Sequence, residues 1–503
     1  MLISEISLNH DSDSVRAEAK VVWENADRAP IHVYVAIERR FAQGFRADAN
    51  GFLIAALLAG WHAGESRLKI EGEICPLLSE NISAALATLR LWYPEMGKPP
   101  AVEASSFKVN QPVPQGAVSF LSCGIDSLAT LRANKLQLPP EHPSAIDSVL
   151  MIGFDGASFM TEQERTNTKR QAASAEVAAD AKVTAIAVET NLLCLDTDGW
   201  FFTYKWHGAV LSALAHFFSG RFSKAFIAST YDAANLEPWG SHPLLDNYYS
   251  SAHMQIEHHG LHLTRLEKTR LIADWPAGLQ NILVCQGKEG GNTNCGGCEK
   301  CIRTMTALVA FDKLRDCRSF PRQDVTPELL RTVRDYEMIY NQSQVGYYQE
   351  LVPALQTSGR HDLVKEIDEL LDWWKEKQSA EGARAQQAAA LIPGGENLVV
   401  VDREQFGCAL PNCARGRYWG PPTDSQVAIR ELESLRRRGF RYLVFHRPSL
   451  WWLDYYADFG RYLNDSFMRT KETPDFVVFD LSAKTAESKL PQHQWETQIE
   501  SFA

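Results

Sequence analysis

The stretch AVSFLSCGIDSLATL, residues 117–131, changes its pattern in the middle. An apolar run typical of a buried strand stops at Ser122, Cys123 and Gly124, and apolar residues then resume with helical spacing. This order predicts a strand, a tight turn and the start of a helix. Such a turn places backbone N–H groups at the positive end of a helix, where anions bind. An ordinary crossover that binds nothing is the alternative.

The same alternation of strands and helices runs through residues 115–310. Short apolar runs predict strands covered on both faces: AVSFL, SVLMIGF, VTAIAVE, KAFIAST and NILVC. The intervening EQERTNTKRQAASAEVAADA and WHGAVLSALAHFFSG predict helices. The pattern therefore predicts an α/β fold with a central doubly wound parallel sheet. Ligands of such sheets bind beyond the carboxyl ends of the strands, which is where we expect the turn at residues 122–127.

The side chains of this turn suit a phosphate group. Gly124 lets a phosphate approach the backbone closely, and the hydroxyl groups of Ser122 and Ser127 add hydrogen-bond donors. Asp126 is positioned either to cap the helix or to hold a magnesium ion. The sequence lacks the Gly-x4-Gly-Lys-Ser/Thr pattern, so the turn is not a Walker-type loop.

Ten cysteines are present, and four of them are clustered with the spacing C-x9-C-x2-C-x2-C: Cys285, Cys295, Cys298 and Cys301. Four thiolates at this spacing are able to surround one zinc ion, and Gly296 and Gly297 allow the tight turn between them. An iron–sulfur cluster uses the same ligands and stays open as an alternative, as do disulfides. A zinc ion with four sulfur ligands has no open position, so we expect a structural site.

The motif SCGIDS resembles the Ser-Gly-Gly-x-Asp-Ser signature of the PP-loop ATP pyrophosphatases. The resemblance implies a site for ATP that is cleaved between its α- and β-phosphates. The residues it implies as nucleotide ligands are Ser122, Cys123, Gly124, Ile125, Asp126 and Ser127. The chain departs from the signature at Cys123, because the family has Gly there and Cys adopts positive φ less readily. The second predicted strand ends where the family contacts adenosine, which adds Phe154 and Asp155.

A PP-loop followed by this cysteine segment is similar to the 7-cyano-7-deazaguanine synthases. Residues 285–303, CQGKEGGNTNCGGCEKCIR, match that family's zinc segment with a longer first loop. LTRLEKTRLIADW falls where the family has a Lys-bearing helix, so the resemblance implies that Lys268 and Arg265 approach the phosphates or the activated carboxylate. Asp126 is the third candidate catalytic residue. A solvated helix face is the alternative for Lys268 and Arg265.

The resemblance covers only residues 115–310, and three further blocks flank this region. Residues 1–110 alternate polar and apolar positions around two helical stretches, which predicts an N-terminal α+β domain. Residues 311–392 predict a helical segment, and residues 396–503 predict a small C-terminal α/β domain of about three strands. In this last block, aromatic residues between 451 and 462 recur at three- and four-residue spacing, which favours a core stripe over a ligand platform.

Composition narrows the class of protein. At 503 residues the chain is long enough for two or three domains. Its net charge of −11 argues against tight binding to nucleic acid, which needs basic surface. The N-terminal residues do not resemble a signal peptide, and the longest apolar run, residues 51–61, is too short to cross a membrane. We therefore expect a cytoplasmic protein.

These patterns predict an enzyme that uses ATP and Mg²⁺ to activate a small carboxylate, or an amide, as an adenylate with release of pyrophosphate. Ammonia or an amine then attacks the adenylate, which leads to an amide or a nitrile. This is the reaction of an ATP-dependent ligase, on a 7-deazaguanine-like or another substrate. Sulfur transfer to a tRNA base through Cys123 is one alternative. A regulatory module that binds ATP and a protein partner through the flanking domains is another, and a homodimer is possible. Residues 229–260, which include His258 and His259, are expected to form the substrate wall.

Overall fold

The computed structural model describes residues 1–107, 116–156, 168–285, 294–339, 341–402, 410, 413, 422 and 424–482. The chain divides into two compact units, Met1–Lys375 and Glu376–Ala503. A ten-stranded sheet forms the centre of the first unit. Its strands are β1 Leu2–His10, β2 Ser14–Val22, β3 Ile31–Glu38, β4 Arg67–Ile74, β5 Ala101–Phe107, β6 Ala117–Phe120, β7 Ile146–Phe154, β8 Thr184–Thr190, β9 Lys224–Ala228 and β10 Gln255–His259.

The order of strands across this sheet is β10-β9-β6-β7-β8-β3-β2-β1-β4-β5. The run from β10 to β8 is parallel, and so are the pairs β1–β4 and β4–β5. The pairs β8–β3, β3–β2 and β2–β1 are antiparallel. A large, mostly parallel sheet accompanied by many helices confirms the α/β class that the sequence predicts.

The order in which the chain adds strands to the parallel part of the sheet reverses at β6. From β6 the chain builds outward through β7 to β8, and it then returns to place β9 against the other side of β6. Val118 of β6 accordingly pairs with Ser148 of β7 and with Ala225 of β9. Parallel sheets leave a crevice beyond the strand ends at such a switch point, and ligands bind there.

Both faces of the parallel strands are buried. Val118 and Leu150 face one apolar core, while their chain neighbours Ala117 and Val149 face another, because successive side chains of a strand point to opposite sides.

The helices of this unit in the described part of the chain are α1 Ala49–His62, α2 Pro76–Trp92, α3 Ile125–Gln137, α4 Thr168–Asp180, α5 Gly199–Phe201, α6 His207–His216, α7 Pro243–Asp246, α8 Arg265–Ala273, α9 Pro276–Gln280, α10 Glu299–Ala310, α11 Pro327–Asp335, α12 Gln342–Gln349, α13 Leu351–Thr357 and α14 His361–Ala390, which contains the division between units. Helices α1, α2 and α6 contribute to the first core, and α3, α4, α8 and α10 contribute to the second.

The strands of residues 1–107 belong to the same sheet as the parallel strands. Strand β3 joins β8 over a short antiparallel stretch in which Val35 pairs with Thr190 and Ile37 with Val188. The domain boundary predicted near residue 110 separates β5 from β6 along the chain, but both strands belong to one sheet. Strand β8 needs this neighbour because it would otherwise be an open edge beside an apolar core.

The segment NILVC, residues 281–285, was predicted to be a strand, and this prediction is wrong. These residues lie in the described part of the chain and form turn and irregular backbone. Their polar backbone groups are satisfied elsewhere: Leu283 N donates to Cys123 O (2.8 Å), and Val284 N donates to the Asn294 side chain (2.9 Å). The fifth parallel strand is β10, with the sequence QIEHH, which is polar because it lies at the edge of the sheet.

Helix α1 contains the apolar run of residues 51–61. Asp48 caps it by accepting a hydrogen bond from Asn50 N, and every residue from Ala49 to Trp61 is buried. Within the residues that the structure describes, no helix combines the length and the apolar character needed to cross a bilayer.

The second unit contains a four-stranded sheet with the order β11-β12-β14-β13. Its elements are β11 Leu398–Val401, α15 Ser425–Arg437, β12 Tyr442–His446, α16 Trp451–Tyr455, α17 Ala457–Ser466, β13 Met468–Glu472 and β14 Phe476–Asp480. The described residues of this unit form four strands, whereas about three were predicted. The exposed edge strand β13 has no apolar pattern from which it could be predicted. Of the aromatic stripe, Trp452, Tyr456 and Phe459 enter the core of this unit.

The burial of α1 leads to a stability prediction. Replacement of Leu57 by Ala removes a side chain that is 0% exposed, so we expect the free energy of unfolding to fall by about 2–5 kcal/mol. Leu91, on α2, is 79% exposed, and Leu91→Ala is the matched control, with an expected change below about 0.5 kcal/mol. Urea denaturation followed by tryptophan fluorescence measures both, and equal effects would contradict the assigned burial.

Candidate functional site

The turn after β6 occupies the switch point of the sheet. Strand β6 ends at Phe120, and α3 begins at Ile125 with Gly124 as its N-cap. Cys123 has φ 59°, in the left-handed region, and Gly124 has φ −71°. The chain thus adopts the left-handed conformation at the position where the PP-loop signature has Gly, although Cys stands there. The first N–H groups of α3 face the end of the turn without partners inside the helix.

Two hydroxyl groups close the turn. Ser122 Oγ and Ser127 Oγ lie 3.3 Å apart, and Ser127 Oγ donates to Gly124 O at 3.0 Å. Gly124 N donates to Ser122 Oγ at 3.4 Å. The serines that the sequence analysis named as phosphate ligands therefore lie side by side at the N-terminus of α3. The free N–H groups at a helix N-terminus are the kind of donors that bind anions in proteins.

The Cys123 side chain is directed into the protein core. It is 0% exposed and belongs to the same apolar core as Leu128 and Ile302. Its Sγ lies 3.3 Å from Ser174 Oγ, and burial raises the pKa of the thiol to about 11. A thiol in this setting stays protonated at neutral pH and is a poor nucleophile. The small side chain fills the core behind the turn.

The structure brings the three candidate catalytic residues together. Arg265 Nη1 donates to both carboxylate oxygens of Asp126, at 2.7 and 2.6 Å. Lys268 Nζ lies 3.5 Å from Asp126 Oδ1 and donates to the carbonyl of Ser229 at 2.7 Å. The sequence spacing of α8 explains the pair, because residues three apart lie on the same face of a helix. The alternative of a solvated helix face is wrong for Lys268, whose side chain is 2% exposed.

Burial and charge act against each other on the residues of this cluster. Burial raises the pKa of Asp126, but the charges of Arg265 and Lys268 outweigh it, so its pKa lies below the ordinary value. Burial lowers the pKa of Lys268, and the negative charge of Asp126 opposes this change. Both oxygens of Asp126 are engaged by Arg265, so this carboxylate is placed to orient cations more than to cap α3, whose N-cap is Gly124.

A further cation, Arg303 of α10, lies near this group and was not proposed as a site residue. Its guanidinium stacks on the Tyr347 ring, 4.3 Å from the centroid, and its Nε is 3.4 Å from Glu299 Oε1. Nε and Nη1 are buried and make no hydrogen bond to any residue that the structure describes. The Glu299 carboxylate forms an ion pair with Nε, while Nη1 has a polar N–H group for which the described residues supply no acceptor. The signal in the sequence was the Arg at the end of the cysteine motif.

A cavity of about 370 Å³ opens beside the turn. Its lining includes Ser122, Asp126 and Ser127 from the turn and α3, and the end of β7 from Leu150 to Phe154. Phe154, for which the resemblance implied an adenosine contact, is among the residues that line this cavity. Asp155 is not among the described lining residues, and its carboxylate accepts a hydrogen bond from the Tyr34 hydroxyl at 3.1 Å.

The predicted substrate wall, residues 229–260, contributes only in part. Thr230 and Ser241 line the cavity, together with Arg170 and His207 from elsewhere in the chain. Sequence reasoning missed Arg170 and His207, because each lies in a helix whose pattern shows only ordinary packing. His258 does not line the described cavity, and its Nδ1 pairs with buried Asp246 (2.8 Å).

The four clustered cysteines come together as the spacing predicts. Their Sγ atoms all lie within 4.8 Å of one another. The Cys301–Cys285 and Cys295–Cys301 sulfur distances are 3.4 and 3.8 Å, and a tetrahedral zinc site with bonds of about 2.3 Å has sulfur–sulfur edges of about 3.8 Å. None of the four is in a disulfide. The donor set therefore fits a metal such as zinc.

The backbone around these thiols supports a metal site. Cys298 N and Gly297 N donate to Cys295 Sγ, at 3.3 and 3.5 Å, and Cys295 N donates to Cys285 Sγ at 3.1 Å. Such N–H groups stabilise sulfur that carries negative charge. Gly296 has φ 68°, which allows the tight turn, and Cys298 is the N-cap of α10. A hydrogen bond with Cys285 raises the pKa of Cys298 to about 11, so these crowded thiols need a cation in order to ionise together.

The turn and the cysteine segment are linked through the backbone. Leu283, two residues before Cys285, donates its N–H to the carbonyl of Cys123 at 2.8 Å. Asn294, one residue before Cys295, donates through its side chain to the carbonyls of Ile282 and Ser319, both at 2.9 Å. A metal ion at the cysteines would therefore brace the same segment that supports the turn.

Comparison of the sequence with models of known protein families and with curated proteins found no match.

We predict that the purified protein contains about one zinc ion per chain, because four thiolates provide a closed tetrahedral site. Cys298→Ser removes one ligand and should lower the zinc content at least tenfold. Cys194→Ser, at a half-buried cysteine outside the cluster, is the matched control and should keep the metal. Elemental analysis of dialysed protein measures both variants. Stoichiometric iron with visible absorbance would instead support an iron–sulfur cluster.

Proposed function

We propose that this protein is an ATP-dependent ligase of the adenylating type, related in chemistry to the PP-loop enzymes. ATP binds with its β- and γ-phosphates at the turn of residues 122–127. A substrate carboxylate then attacks the α-phosphorus. The observation that carries the proposal is the left-handed turn at Cys123, which opens a helix N-terminus onto a cavity at the switch point of the sheet.

The cavity suits a nucleotide in size and lining. Its volume of about 370 Å³ lies within the range of ligand pockets, about 300–1,000 Å³. Phe154 and its neighbours at the end of β7 provide an apolar surface for a base, and the turn provides donors for phosphates. The base and the phosphates of one ATP molecule would therefore contact different strand ends, as in other open α/β sheets.

The cations of α8 and α10 support phosphoryl chemistry at the turn. Arg265 and Lys268 are held beside Asp126, and Arg303 has buried donors without hydrogen-bond acceptors among the described residues. When a triphosphate enters, its oxygens compete with Asp126 for these donors. Mg²⁺ bound with the triphosphate neutralises part of its charge. Charge stabilisation of this kind, together with positioning, supplies most of the catalysis in reactions at phosphorus.

The proposed reaction has two steps. In the first, a carboxylate oxygen forms a bond to the α-phosphorus and the bond to pyrophosphate breaks, which yields an acyl-adenylate. In the second, ammonia or an amine forms a bond to the acyl carbon, and AMP leaves while the nitrogen loses a proton. The product is an amide, on a 7-deazaguanine-like carboxylate or another small carboxylate.

The four cysteines have a structural part in this proposal. Zinc held by four sulfur ligands has no open coordination position for a substrate. Residues 281–285 connect the cysteines to the turn through Leu283, so the metal site supports the turn from behind.

Products distinguish this proposal from other uses of ATP. We expect AMP and pyrophosphate when the protein is incubated with ATP, Mg²⁺, ammonium and 7-carboxy-7-deazaguanine or, in a second arm, the small-molecule fraction of a cell extract. Chromatography of the nucleotides and phosphorus NMR identify the products. Release of ADP and orthophosphate would contradict adenylation, and tight ATP binding without turnover in either arm would favour the regulatory module.

A matched pair of variants accompanies this measurement. Arg265→Ala removes the guanidinium group that donates to both oxygens of Asp126, and it should lower the rate of AMP formation by about 10²–10³-fold. Arg40→Ala changes an arginine that is 69% exposed and contacts surface Glu38 and the ring of Phe41, so the rate of this variant should not change. Equal rates of AMP formation in the two variants would contradict the proposed role of Arg265.

Cys123→Gly separates adenylation from sulfur transfer. Glycine adopts φ 59° at no steric cost and restores the PP-loop signature, so AMP formation should stay within about tenfold of the parent rate. Sulfur transfer through Cys123 requires the thiol and would be abolished. The measurement is AMP release, with circular dichroism of the variant as the control for folding. Complete loss of AMP formation in a folded variant would favour a reaction in which the Cys123 thiol takes part.

A further inference from the structure

The cavity beside the turn is also lined by His207, which takes no part in the steps above. His207 is the first residue of α6, and a π-helical turn, Phe202–Trp206, precedes it between α5 and α6. One extra residue in such a turn frees a carbonyl from the usual helical ladder, and π turns occur frequently at functional sites. Here the Thr203 carbonyl accepts a hydrogen bond from His207 Nδ1 at 2.9 Å.

This hydrogen bond determines the tautomer of the imidazole. A backbone carbonyl has no proton to donate, so His207 Nδ1 must carry the hydrogen. In the neutral ring, Nε2 therefore holds the lone pair and is a proton acceptor. The described hydrogen bonds of this ring are to backbone carbonyls, to Thr203 through Nδ1 and to Phe202, and His207 lines the cavity.

Two glycines keep the ring in place. Gly208 N donates to Gly240 O at 2.9 Å, which joins the start of α6 to the segment before α7. A β-carbon at Gly240 would lie 2.6 Å from His207 Nδ1, and one at Gly208 would lie 2.4 Å from Asp246 Oδ1. Side chains at either position would displace the ring or the carboxylate. The close approach therefore needs glycine at both positions.

A buried carboxylate lies next to this arrangement. Asp246 is 0% exposed and is held by Ser241 Oγ (2.5 Å) and by His258 Nδ1 (2.8 Å). Burial lowers the pKa of His207, while the charge of Asp246 raises it and that of His258 lowers it, and the net pKa lies below the ordinary value. The ring is therefore neutral at pH 7, and Asp246 stabilises the imidazolium that forms when the ring accepts a proton.

We propose that His207 Nε2 accepts the proton of the incoming ammonia or amine in the second step, the attack on the acyl-adenylate. The nitrogen forms its bond to the acyl carbon, the bond to the AMP oxygen breaks, and the proton moves from nitrogen to Nε2. AMP leaves with the bonding electrons. Asp246 is a positioning residue that acts through His207. The inference rests on the function proposed above and names the group that the second step needs.

The test separates the two half-reactions. His207→Asn keeps a side-chain N–H for the Thr203 carbonyl and removes the proton acceptor, whereas His142→Asn, at an exposed histidine of the same unit, is the matched control. The first step is followed as exchange of labelled pyrophosphate into ATP with 7-carboxy-7-deazaguanine as the carboxylate. The second step is followed as amide formation from ammonium, and in parallel from hydroxylamine, a stronger nucleophile that is unprotonated at neutral pH.

We expect His207→Asn to keep pyrophosphate exchange within about threefold and to lose about 10²–10⁴ in amide formation from ammonium. Hydroxylamine should restore most of the second step. Asp246→Asn should give a smaller loss with the same pattern, and His142→Asn should match the parent protein. The selective loss is a result that a merely structural role would not produce.

Two results would overturn the proposal: an equal fall of exchange and amide formation in His207→Asn, or amide formation at the parent rate. A different result is the absence of pyrophosphate exchange in the parent protein, both with 7-carboxy-7-deazaguanine and with the small-molecule fraction of a cell extract. That result would overturn the proposed function and this step with it. The parent protein thus tests the adenylation, and the variant tests the role of His207.

Discussion

Cys123 holds a left-handed backbone conformation, and this constraint takes the chain from β6 into α3 within residues 121–124. The conformation costs about 1–2 kcal/mol for a residue with a β-carbon. Packing of the thiol in the core, its contact with Ser174 and the hydrogen bond from Leu283 N to the Cys123 carbonyl offset that cost. The same carbonyl connects the turn to the segment that leads into the four cysteines. The turn and the four-cysteine cluster thus share one support.

The position of this turn depends on the order of the strands. Strand β6 lies between β7 and β9, so the crevice at its carboxyl end has walls from two later parts of the chain. Phe154 arrives from one side, and Thr230 and Ser241 follow β9 on the other. Residues more than one hundred positions apart, such as Asp126 and Arg265, meet because parallel strands bring their carboxyl ends to one edge. The proposed chemistry uses this convergence.

Several features were predictable because their causes are local. Apolar runs bounded by turn residues predicted β6, β7, β8 and β9, and the apolar run of residues 51–61 belongs to the buried helix α1. The cysteine spacing predicted a cluster, and the sulfur atoms do converge. The resemblance implied that Lys268 and Arg265 approach the phosphates or the activated carboxylate, since no local pattern connects α8 with the turn, and their contacts with Asp126 were not predicted. Strand β10 and residues 281–285 were misassigned, because an edge strand tolerates polar residues and an irregular segment can be apolar when side chains such as Asn294 satisfy its backbone.

The sequence by itself determined the alternation of strands and helices, the small-residue turn and the set of four thiols, because each depends on residues close together in the chain. Only the tertiary structure decided which strands are neighbours, that β3 joins β8 into one sheet, and that the Cys123 thiol faces the core. It also decided that Arg303 and His207 lie near the turn and the cavity. These outcomes depend on long-range packing and on hydrogen bonds between distant segments, whose energies no short stretch of sequence contains.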